Sequence, residues 1–543
     1  QDITIAEKSI NYLASDELEG RFPGTKGDSL SIAYISGEFQ RYGINGFDEG
    51  FVQNFDVLTA ISPGNETSIS LNNDALEMNH DFMPLTFSAE KANKAAVHLC
   101  RISGLSGSAA LNGQWLVVLP DAEEGRRSYR ELIGLALDAK DAGAGGMVLL
   151  VENDSAGVRG FYPFRYSRTV GSAGIPAIQM SASAFEKALK KAGYAIDTEN
   201  PDPRKVEALN AESKMILDGR VSIDQTYSTT ANICGYVEGK DTSAWLVVGA
   251  HYDHLGYGGY GSGSRTPDQC AIHNGADDNA SGVAMVLMLA DYYAKKQPDI
   301  NIAFVLFGAE EEGLIGSSYF VDNMLFQPEN VKAMINYDMI GRVEDSLMSI
   351  SGVKTADEFE DILNTWNEKP MKLKLGGGGY AGSDQASFYS EGVPVLFFNS
   401  GLHDDYHKPS DDVDKINFDG IKLTAGLSVK LIDSLDDPNT RLTYRKAKQS
   451  DKSRHGGGTT VTLGIMPDVA GKAENGLGVD GVRPGGPAEK AGVEKDDVIV
   501  QIGKYTISGI YEYMKVLSNF EKGDKVKLVV IKDGVKRELE LTF

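Results

Sequence analysis

From Thr230 to about Asp436, short apolar runs alternate with stretches of helical spacing, and this alternation constrains the fold more than any other feature of the chain. A short, continuous apolar run is typical of a strand buried on both faces, which belongs to a parallel or mixed sheet covered by helices. The sequence therefore predicts an α/β domain with a mixed, mainly parallel sheet and helices on both faces. The apolar runs are "AWLVVGA", "NIAFVLFGA", "AMINYDM" and "VPVLFFNSG", and the longest helical stretch is "ASGVAMVLMLADYYAKK".

Side chains that commonly bind metal ions follow each of these predicted strands. In an open α/β sheet, ligands bind beyond the carboxyl ends of the strands, which meet at one edge. We therefore expect these side chains to lie close together, although they are far apart along the chain. They are His251, Asp253 and His254 after the first run, Glu310, Glu311 and Glu312 after the second, Asp338 after the third, His403 and His407 after the fourth, and Asp277 and Asp278 before the longest helical stretch.

Each of these groups also has a purely structural interpretation. Asp277 and Asp278 could stabilise the N-terminus of the helix that follows them. The three glutamates could form a solvated first turn, and "HKPSDD" could be a helix start capped by Pro and Ser. We favour a common metal site, because a single site explains why all the groups are delivered to one edge.

The residue types restrict the metal. Histidine mixed with aspartate and glutamate, without cysteine, suits zinc, with cobalt or manganese as substitutes, whereas calcium prefers mostly oxygen ligands. The carboxylates are numerous enough to bridge two ions, and paired ions activate water for hydrolysis. Cys100, Cys234 and Cys270 are too few and too scattered for a disulfide framework or a cysteine zinc site.

Several classes of function lose support. The formal net charge of -24 argues against nucleic acid or an anionic membrane as the main partner. No apolar stretch approaches the roughly 20 residues of a membrane span. "GYGGYG" fits G-x-G-x-x-G, but "SGSRTPDQC" follows it and is not a helix start, so a dinucleotide site is not supported. The chain also lacks G-x-S-x-G, a Walker loop and H-E-x-x-H.

An ordered set of motifs resembles the di-zinc aminopeptidase family, which includes bacterial leucyl aminopeptidases and the glutamate carboxypeptidase II and transferrin receptor group. The motifs span about Val237 to Ile416, and "LASDELEGR" near the N-terminus is similar to the opening helix and loop of that family. The resemblance implies a zinc exopeptidase-like α/β fold. The motifs are "GAHYDHLG", "NGADDNASG", "FGAEEEGLIGS", "NYDMIGR" and "DYHKPSDD".

The resemblance also implies two zinc ions, with one metal-binding residue in each of the five motifs. His251 and Asp338 would hold one ion, and Glu311 and His407 would hold the other. Asp277 would bridge both ions, with a cis peptide to the residue that follows it. Cobalt or manganese could substitute for zinc.

Further roles follow from the same resemblance. Glu310 would be the general base, and Asp253 would orient His251 from behind. Glu312 would be only a neighbour of these residues. The segment "GYAGSDQASFY" would line the substrate site, although Gln385 stands where relatives often have histidine. The substrate-binding residues implied there are Tyr380, Ser383 and Asp384.

The length of 543 residues predicts more than one domain. One segment resembles the β-rich protease-associated domain that is inserted in many relatives, and the C-terminal segment resembles a bacterial PDZ domain, with its peptide-carboxylate loop near 463–465. A basic, Gly-rich linker between domains predicts that few contacts cross that boundary. The expected organisation is 1–60 and 226–440 for the peptidase domain, 61–225 for the insertion, 441–460 for the linker and 461–543 for the PDZ-like domain.

These features predict an enzyme that removes the N-terminal residue from short peptides. A carboxypeptidase or dipeptidase on the same fold is the alternative, and a glutaminyl cyclase or a receptor-like binding protein is less favoured. A carboxypeptidase needs a cation for the terminal carboxylate, and Arg342, four residues after Asp338, is the nearby candidate. We favour a structural ion pair for Arg342.

The expected partners are peptide substrates and, at the PDZ-like domain, a peptide C-terminus; nucleic acid is not expected. The chain begins at Gln1 rather than Met, which is compatible with a removed leader. Together with the family resemblance, this leads us to expect an exported protein, whether periplasmic, secreted or lipid-anchored at a cell surface.

Overall fold

The structure, a computed structural model, describes residues 2–47, 50–101, 111–119, 127–151, 160–166, 171–198, 201–212, 214–366, 371–380, 382–447, 461–468, 473 and 476–543. The chain begins with two helices whose ends are set by local capping. Asp2 caps the first helix by accepting a hydrogen bond from the Thr4 amide at 3.1 Å, and Gly43 ends the second with a positive φ of 77°. These first elements are α1 (Ile3–Leu13), α2 (Lys26–Tyr42) and β1 (Val52–Pro63).

Residues 64–222 form an inserted domain with its own sheet. Four of its strands, β5 to β8, are parallel neighbours in the order β5-β6-β7-β8, and separate apolar cores cover the two faces of the sheet. Its elements are β2 (Ser68–Leu71), β3 (Asp74–Ala75), β4 (Phe82–Pro84), β5 (Ala92–Arg101), β6 (Trp115–Leu119), α3 (Tyr129–Asp141), β7 (Gly146–Val151), β8 (Ala177–Ser181), α4 (Ala182–Lys191), α5 (Pro203–Glu212) and β9 (Ile216–Arg220).

A long antiparallel ribbon connects the inserted domain to the main sheet. Strand β1 leads out of the main sheet, and β10 (Ile223–Val237) leads back into it, with pairing from Val52 opposite Ile233 to Pro63 opposite Ile223. The inserted domain is therefore held at the end of two paired strands rather than on a single-stranded linker.

The main sheet follows the order β1-β10-β12-β11-β13-β16-β14-β15, and its four central strands are parallel. Alternate residues of β12 face two different apolar cores, so helices cover the sheet on both faces. The predicted fold class is confirmed. The remaining elements of this domain are β11 (Asp241–His251), α6 (Gly282–Ala294), β12 (Ile300–Phe307), α7 (Ile315–Asp322), β13 (Val331–Tyr337), β14 (Leu347–Ser351), α8 (Phe359–Trp366), β15 (Lys372–Leu375), α9 (Gln385–Ser390), β16 (Val395–Asn399) and α10 (Phe418–Asp436).

Residues 461–543 form a C-terminal domain with a separate apolar core that includes Leu463, Val479 and Leu528. Its sheet has the order β17-β18-β19-β21-β22, with β20 also paired to β19, so β17 forms an edge. Its elements are β17 (Ile465–Pro467), β18 (Leu477–Val482), α11 (Pro487–Ala491), β19 (Val498–Ile502), β20 (Tyr505–Thr506), α12 (Ile510–Leu517), β21 (Lys525–Lys532) and β22 (Val535–Thr542).

The C-terminal domain packs against the main domain. Lys495 forms ion pairs with Asp322 at 3.0 Å and Glu391 at 2.6 Å. The Tyr380 hydroxyl donates a hydrogen bond to the Val482 carbonyl at 3.2 Å. The prediction that few contacts cross this boundary is therefore wrong, because linker composition reports on the connecting chain and not on the surfaces of the domains it connects. Residues 448–460 of the predicted linker lie outside the described residues.

The C-terminal domain also contacts the inserted domain. Lys515 on α12 forms ion pairs with Asp138 at 2.8 Å and Asp141 at 2.7 Å on α3. Lys140, on the same helix α3, pairs with Glu512 of α12 at 2.7 Å. The two domains thus meet helix against helix, and each helix supplies a lysine that pairs with acidic residues of the other.

Of the three cysteines, Cys234 is buried, Cys100 is half-buried and Cys270 is exposed. Within the part of the chain that the structure describes, no helix combines the length and the apolar character that a membrane crossing requires.

Candidate metal centre

The parallel strands deliver polar side chains to one edge of the main sheet. Strand β11 ends at His251, and Asp338 directly follows the last residue of β13. The loop after β16 carries His407, and the turn after β12 carries Glu310 and Glu311. Because these strands are parallel neighbours, their carboxyl ends lie side by side, and the structure brings these five residues together there.

Two groups of potential ligand atoms share one residue, Asp278. In the first group, the His251 Nε2 atom lies 3.4 Å from Asp278 Oδ1 and 3.5 Å from Asp338 Oδ1. In the second, the His407 Nε2 atom lies 3.1 Å from Glu311 Oε1 and 3.3 Å from Asp278 Oδ2. Ligands bound at roughly 2.0–2.1 Å to a tetrahedral zinc ion lie about 3.3–3.4 Å apart, so both groups have the right size.

The position between the two groups belongs to Asp278 and not to Asp277, which corrects the sequence prediction. The Asp277 carboxylate faces the other way: its Oδ1 accepts hydrogen bonds from the Gly341 amide at 2.6 Å and the Ser281 hydroxyl at 3.0 Å, and its Oδ2 lies 3.1 Å from His403 Nε2. The cis peptide bond follows Asp278 rather than Asp277. The two adjacent carboxylates therefore face different surroundings, and only one of them reaches both histidine groups.

A charged network holds this aspartate turn. The Asp411 carboxylate accepts hydrogen bonds from the backbone amides of Asp277 and Asp278, both at 3.0 Å. The Arg342 guanidinium in turn donates to Asp411 at 2.9 Å and lies 3.4 Å from Asp405. Arg342 thus forms the structural ion pair favoured from the sequence, and through Asp411 it supports the backbone that presents Asp278.

Asp253 holds the turn that carries the glutamates. Its two carboxylate oxygens accept hydrogen bonds from the backbone amides of Glu310, at 3.0 Å, and Glu311, at 3.2 Å. His251 Nδ1 lies 3.2 Å from the Asp253 carbonyl oxygen and 3.7 Å from the nearer carboxylate oxygen. The role of orienting His251 stays a prediction for Asp253, whose carbonyl oxygen and nearer carboxylate oxygen both lie beside the imidazole while its carboxylate also holds the backbone of the glutamate turn.

The electrostatics of the cluster favour cations. Burial lowers the pKa of His407, but the nearby carboxylates of Glu311 and Asp278 outweigh this effect and raise it to about 11. Burial alone would raise the pKa of Glu311, yet the charge of His407 and hydrogen bonds from His254 and His407 lower it to about 2. Carboxylates buried this deeply require positive partners. A divalent ion between these groups would satisfy them, and the donor set of imidazole nitrogen and carboxylate oxygen suits zinc.

Burial raises the pKa of Glu310 well above its usual range, and the charges of Glu311, Asp384 and Asp338 act in the same direction while His251 opposes them. A carboxyl group with a raised pKa, directly beside a candidate ligand, has the properties of a proton carrier. This environment is compatible with the role predicted for Glu310.

His254 is a member of the cluster to which the sequence prediction gave no role. Its Nδ1 lies 3.0 Å from Glu311 Oε1 and 4.0 Å from Asp278 Oδ2, and it is fully buried. His254, Asp278 and Glu311 form a three-residue group of potential ligand atoms, as do His251, Asp278 and Asp338. The signal for His254 was present in the sequence, because it follows Asp253 directly in the first strand-end motif.

The predicted substrate-binding residues separate into two environments. Tyr380 is an interface residue, because its hydroxyl donates to the Val482 carbonyl of the C-terminal domain. Ser383 is buried and accepts a hydrogen bond from the Asn336 side chain at 2.9 Å. Burial raises the pKa of Asp384 to about 7, with His251 opposing and the carboxylates of the centre adding to the shift. Of the three, Asp384 is electrostatically coupled to the centre.

The inserted domain reaches the rim of the centre through Tyr166. The Tyr166 hydroxyl donates a hydrogen bond to the buried carboxylate of Glu312, next to the candidate ligand Glu311. Glu312, predicted to be only a neighbour of the functional residues, therefore connects the centre to another domain.

Arg21, from the opening loop, lies buried behind the centre. Its guanidinium donates to the carbonyl oxygens of Tyr252 at 2.7 Å, Asn274 at 2.6 Å and Gly275 at 3.0 Å, which belong to two of the loops that carry candidate ligands. Burial lowers the pKa of Arg21 to about 10, and the charges of Asp253 and other carboxylates of the centre oppose this shift. This buried cation ties the two loops together.

Two parts of the chain match known domain families. Residues 232–432 match the model of peptidase family M28, and residues 457–543 match that of the PDZ domain. The chain is 27% identical over 267 residues to aminopeptidase YwaD of Bacillus subtilis, covering 45% of this chain and 53% of that protein. It is 30% identical over 145 residues to a probable zinc metalloprotease of Phaeosphaeria nodorum, covering 25% of this chain and 29% of that protein.

Among solved structures, the aminopeptidase from Aneurinibacillus sp. strain AM-1 aligns with a TM-score of 0.49 and 19% identity, over 82% of this chain and 96% of that chain. The chain spans about half or less of the length of the two curated relatives named above. The M28 match contains every candidate ligand of the centre, and the PDZ match covers the C-terminal domain. The chain therefore carries a peptidase family M28 domain at residues 232–432, followed by a PDZ domain at residues 457–543.

Proposed function

We propose that this protein is a zinc aminopeptidase with a two-ion centre that releases the N-terminal residue from short peptides. The observation that carries the proposal is Asp278, whose two oxygens face two separate groups of ligand atoms. One ion would be held by His251 and Asp338 and the other by Glu311 and His407, with Asp278 shared. Relatives that are similar to this chain are named an aminopeptidase and a probable zinc metalloprotease, which supports the reaction class.

When bound, a pair of zinc ions polarises the scissile carbonyl group and lowers the pKa of water. The residues of the chain then perform the proton transfer and the positioning. Glu310 accepts the proton of the attacking water and returns it to the leaving amine. Asp253 fixes the backbone of Glu310 and Glu311 at once, so the base and a ligand keep a constant relative position.

Two observations favour an aminopeptidase over a carboxypeptidase. Arg342 is committed to Asp411 and Asp405, so it is not directed at a substrate carboxylate. The surroundings of the centre are rich in carboxylates, including Asp384 and Glu312, which suit a free α-ammonium group. Hydrolysis of aminoacyl-p-nitroanilides but not of their N-acetylated forms would support the proposal, and release of residues from the C-terminus only would favour the carboxypeptidase alternative.

The metal requirement has its own test. Chelation should abolish hydrolysis of the p-nitroanilides, and added zinc or cobalt should restore it. Elemental analysis of the restored enzyme should give two ions per chain. A stoichiometry of one, with Asp338 free of metal in a liganded structure, would contradict the shared position of Asp278.

The same proposal also covers the inserted domain and the location of the protein. In this proposal the inserted domain is a protease-associated domain, an assignment that rests on the family resemblance, and the contact between Tyr166 and Glu312 supports a position at one side of the centre. The protein acts outside the cytoplasm, an assignment that rests on the family resemblance and is tested by cell fractionation.

A further inference from the structure

The fully buried His254 side chain lies inside the cluster of candidate ligands. Its Nδ1 atom is 3.0 Å from Glu311 Oε1, and the same oxygen lies 3.1 Å from His407 Nε2. Asp278 Oδ2 lies 4.0 Å from His254 Nδ1 and 3.3 Å from His407 Nε2. The two imidazole rings, whose centroids are 5.8 Å apart, therefore face the same two carboxylate oxygens.

The backbone of the aspartate turn fixes the His254 ring. A Cβ atom at Gly275 would lie only 2.6 Å from His254 Cδ2, so the turn can approach the ring this closely only because residue 275 is glycine. The Gly275 carbonyl oxygen also accepts a hydrogen bond from Arg21 at 3.0 Å. The ring thus packs against the turn that presents Asp278 three residues later, and it cannot swing away without moving that turn.

The neighbouring His407 shows what such an imidazole presents to the carboxylates. Its Nδ1 atom lies 3.0 Å from the Gly263 carbonyl oxygen, which only accepts hydrogen bonds, so the neutral ring carries its proton on Nδ1. The Nε2 atom then directs a lone pair at Glu311 and Asp278, an arrangement that a cation between these groups would stabilise.

His254 Nδ1 lies at the same two oxygens as His407 Nε2. Its other nitrogen, Nε2, is buried and has no hydrogen-bond partner among the described residues. Within the part of the chain that the structure describes, the polar interactions of this imidazole are therefore made inside the cluster.

The spacing of the four groups suits an ion with more than four ligands. Ligands of a tetrahedral zinc ion lie about 3.3–3.4 Å apart, whereas bonds of roughly 2.0–2.1 Å in a five-coordinate ion give separations from about 2.9 to 4.1 Å. The separations that join the two imidazoles to the two carboxylates range from 3.0 to 4.0 Å. Because catalytic zinc can take five ligands, a fourth protein ligand still leaves a place for the attacking water.

We propose that His254 Nδ1 is a direct ligand of the second zinc ion, the ion assigned above to Glu311 and His407. The inference rests on the proposed two-ion function, and it makes the two positions unequal. The first position has one imidazole and two carboxylates, whereas the second has two imidazoles and two carboxylates. The extra ligand and the preference of zinc for imidazole make the second position the tighter one, so the first equivalent of zinc should bind there.

The number of imidazoles bound in the zinc-loaded enzyme tests the assignment directly. X-ray absorption at the zinc edge should give an average of about 1.5 imidazoles per zinc, because three histidines then serve two ions. A crystal structure of the zinc-loaded full chain should place His254 Nδ1 at roughly 2.0–2.1 Å from one ion. An average of about one imidazole per zinc, with His254 Nδ1 beyond roughly 3 Å from both ions, would overturn the inference.

His254→Gln separates a metal ligand from a residue that only donates a hydrogen bond. The glutamine amide can still donate to Glu311, but it lacks the imidazole nitrogen. Competition with a chromophoric chelator should show that the tighter zinc ion loses more than about 100-fold in affinity, since loss of an orienting partner alone costs roughly 10- to 100-fold. The ion held by His251 and Asp338 should be affected much less.

His273→Gln is the matched control. His273 is equally buried and its ring centroid lies 6.5 Å from that of His254, but its nitrogens face the Ser264 hydroxyl and the Ala271 carbonyl oxygen. This variant should bind both zinc ions with affinities close to those of the unmodified enzyme.

A loss of affinity below about 100-fold in His254→Gln would assign this residue to orienting Glu311 and would overturn the inference. Equal losses in both glutamine variants would also overturn it, because any disturbance of a buried histidine would then be sufficient. In either case two bound ions and hydrolysis of leucyl-p-nitroanilide by the unmodified enzyme would leave the proposed function intact. An unmodified enzyme that binds no zinc and does not hydrolyse this substrate would refute the proposed function itself. If His254→Gln does not fold, the imidazole count of the unmodified enzyme decides.

Discussion

Replacing each of the two adjacent aspartates in turn by asparagine tests the assignment of the shared ligand. In Asp278→Asn, one of the two oxygens that face the histidine groups becomes an amide nitrogen, which does not bind zinc when it is protonated. In Asp277→Asn, the oxygen that accepts from Gly341 and Ser281 can be retained, and the new amide can donate to His403 Nε2, which lies 3.1 Å from Asp277 Oδ2.

The two substitutions should differ widely in magnitude. Loss of a residue that merely supports a ligand typically reduces metal affinity roughly 10- to 100-fold, so loss of a shared ligand in Asp278→Asn should exceed about 100-fold, or about 2.8 kcal/mol. Asp277→Asn keeps its hydrogen bonds and loses only their charged character. Its cost should be about 1 kcal/mol of unfolding free energy, with little change in zinc affinity.

The assay is competition for zinc with a chromophoric chelator, combined with elemental analysis and urea unfolding of the metal-free proteins. We expect Asp278→Asn to retain at most one tightly bound ion and to lose peptidase activity, and Asp277→Asn to retain two. If Asp277→Asn loses zinc while Asp278→Asn keeps both ions, the placement of the carboxylates described above is wrong. Equal losses in both variants would show that the turn, rather than one side chain, determines binding.

Three further outcomes are expected. Glu310→Gln should retain zinc by elemental analysis and lower kcat/KM by roughly 10²- to 10⁴-fold, as expected for a general base, and near-normal turnover would exclude that role. Arg21→Met should leave four buried carbonyl groups, those of Leu13, Tyr252, Asn274 and Gly275, without their donor and lower the urea midpoint of the metal-free protein, because a buried cation and its acceptors are normally satisfied together; an unchanged midpoint would show that water replaces it. A chain ending at Ala447 should hydrolyse aminoacyl-p-nitroanilides but unfold at a lower temperature, because the contacts of Tyr380 and Lys495 are lost, and an unchanged Tm would mean that these contacts contribute little.

Much of the site could be predicted because it depends on patterns that are local in the sequence. The apolar runs that became β11, β12, β13 and β16 are continuous, since both faces of each strand are covered. Once these strands are parallel, topology alone brings the residues that follow them to one edge. His251, Asp338 and His407 were located by this reasoning, without any knowledge of side-chain direction.

The sequence could not decide between Asp277 and Asp278, because neither lies in a helix or strand whose periodicity would assign its direction. Asp278 has non-helical backbone angles of φ -106° and ψ 89°, and its orientation is set by Asp411, which is distant in sequence. His254 was expected at the site but given no role, and Arg21 was missed, for a related reason: their partners are carboxylate and carbonyl groups that only the folded chain brings within hydrogen-bond distance.

The sequence by itself therefore determined the sheet, the edge at which the chemistry takes place and the types of ligand, since these follow from burial patterns and strand direction. Only the tertiary structure decided which carboxylate is shared, where Tyr380 points and how the PDZ domain sits against the other two domains. The physical reason is the same in each case. Side-chain direction in irregular turns and the packing of one domain surface on another are set by contacts between distant residues, and no local pattern in the chain records those contacts.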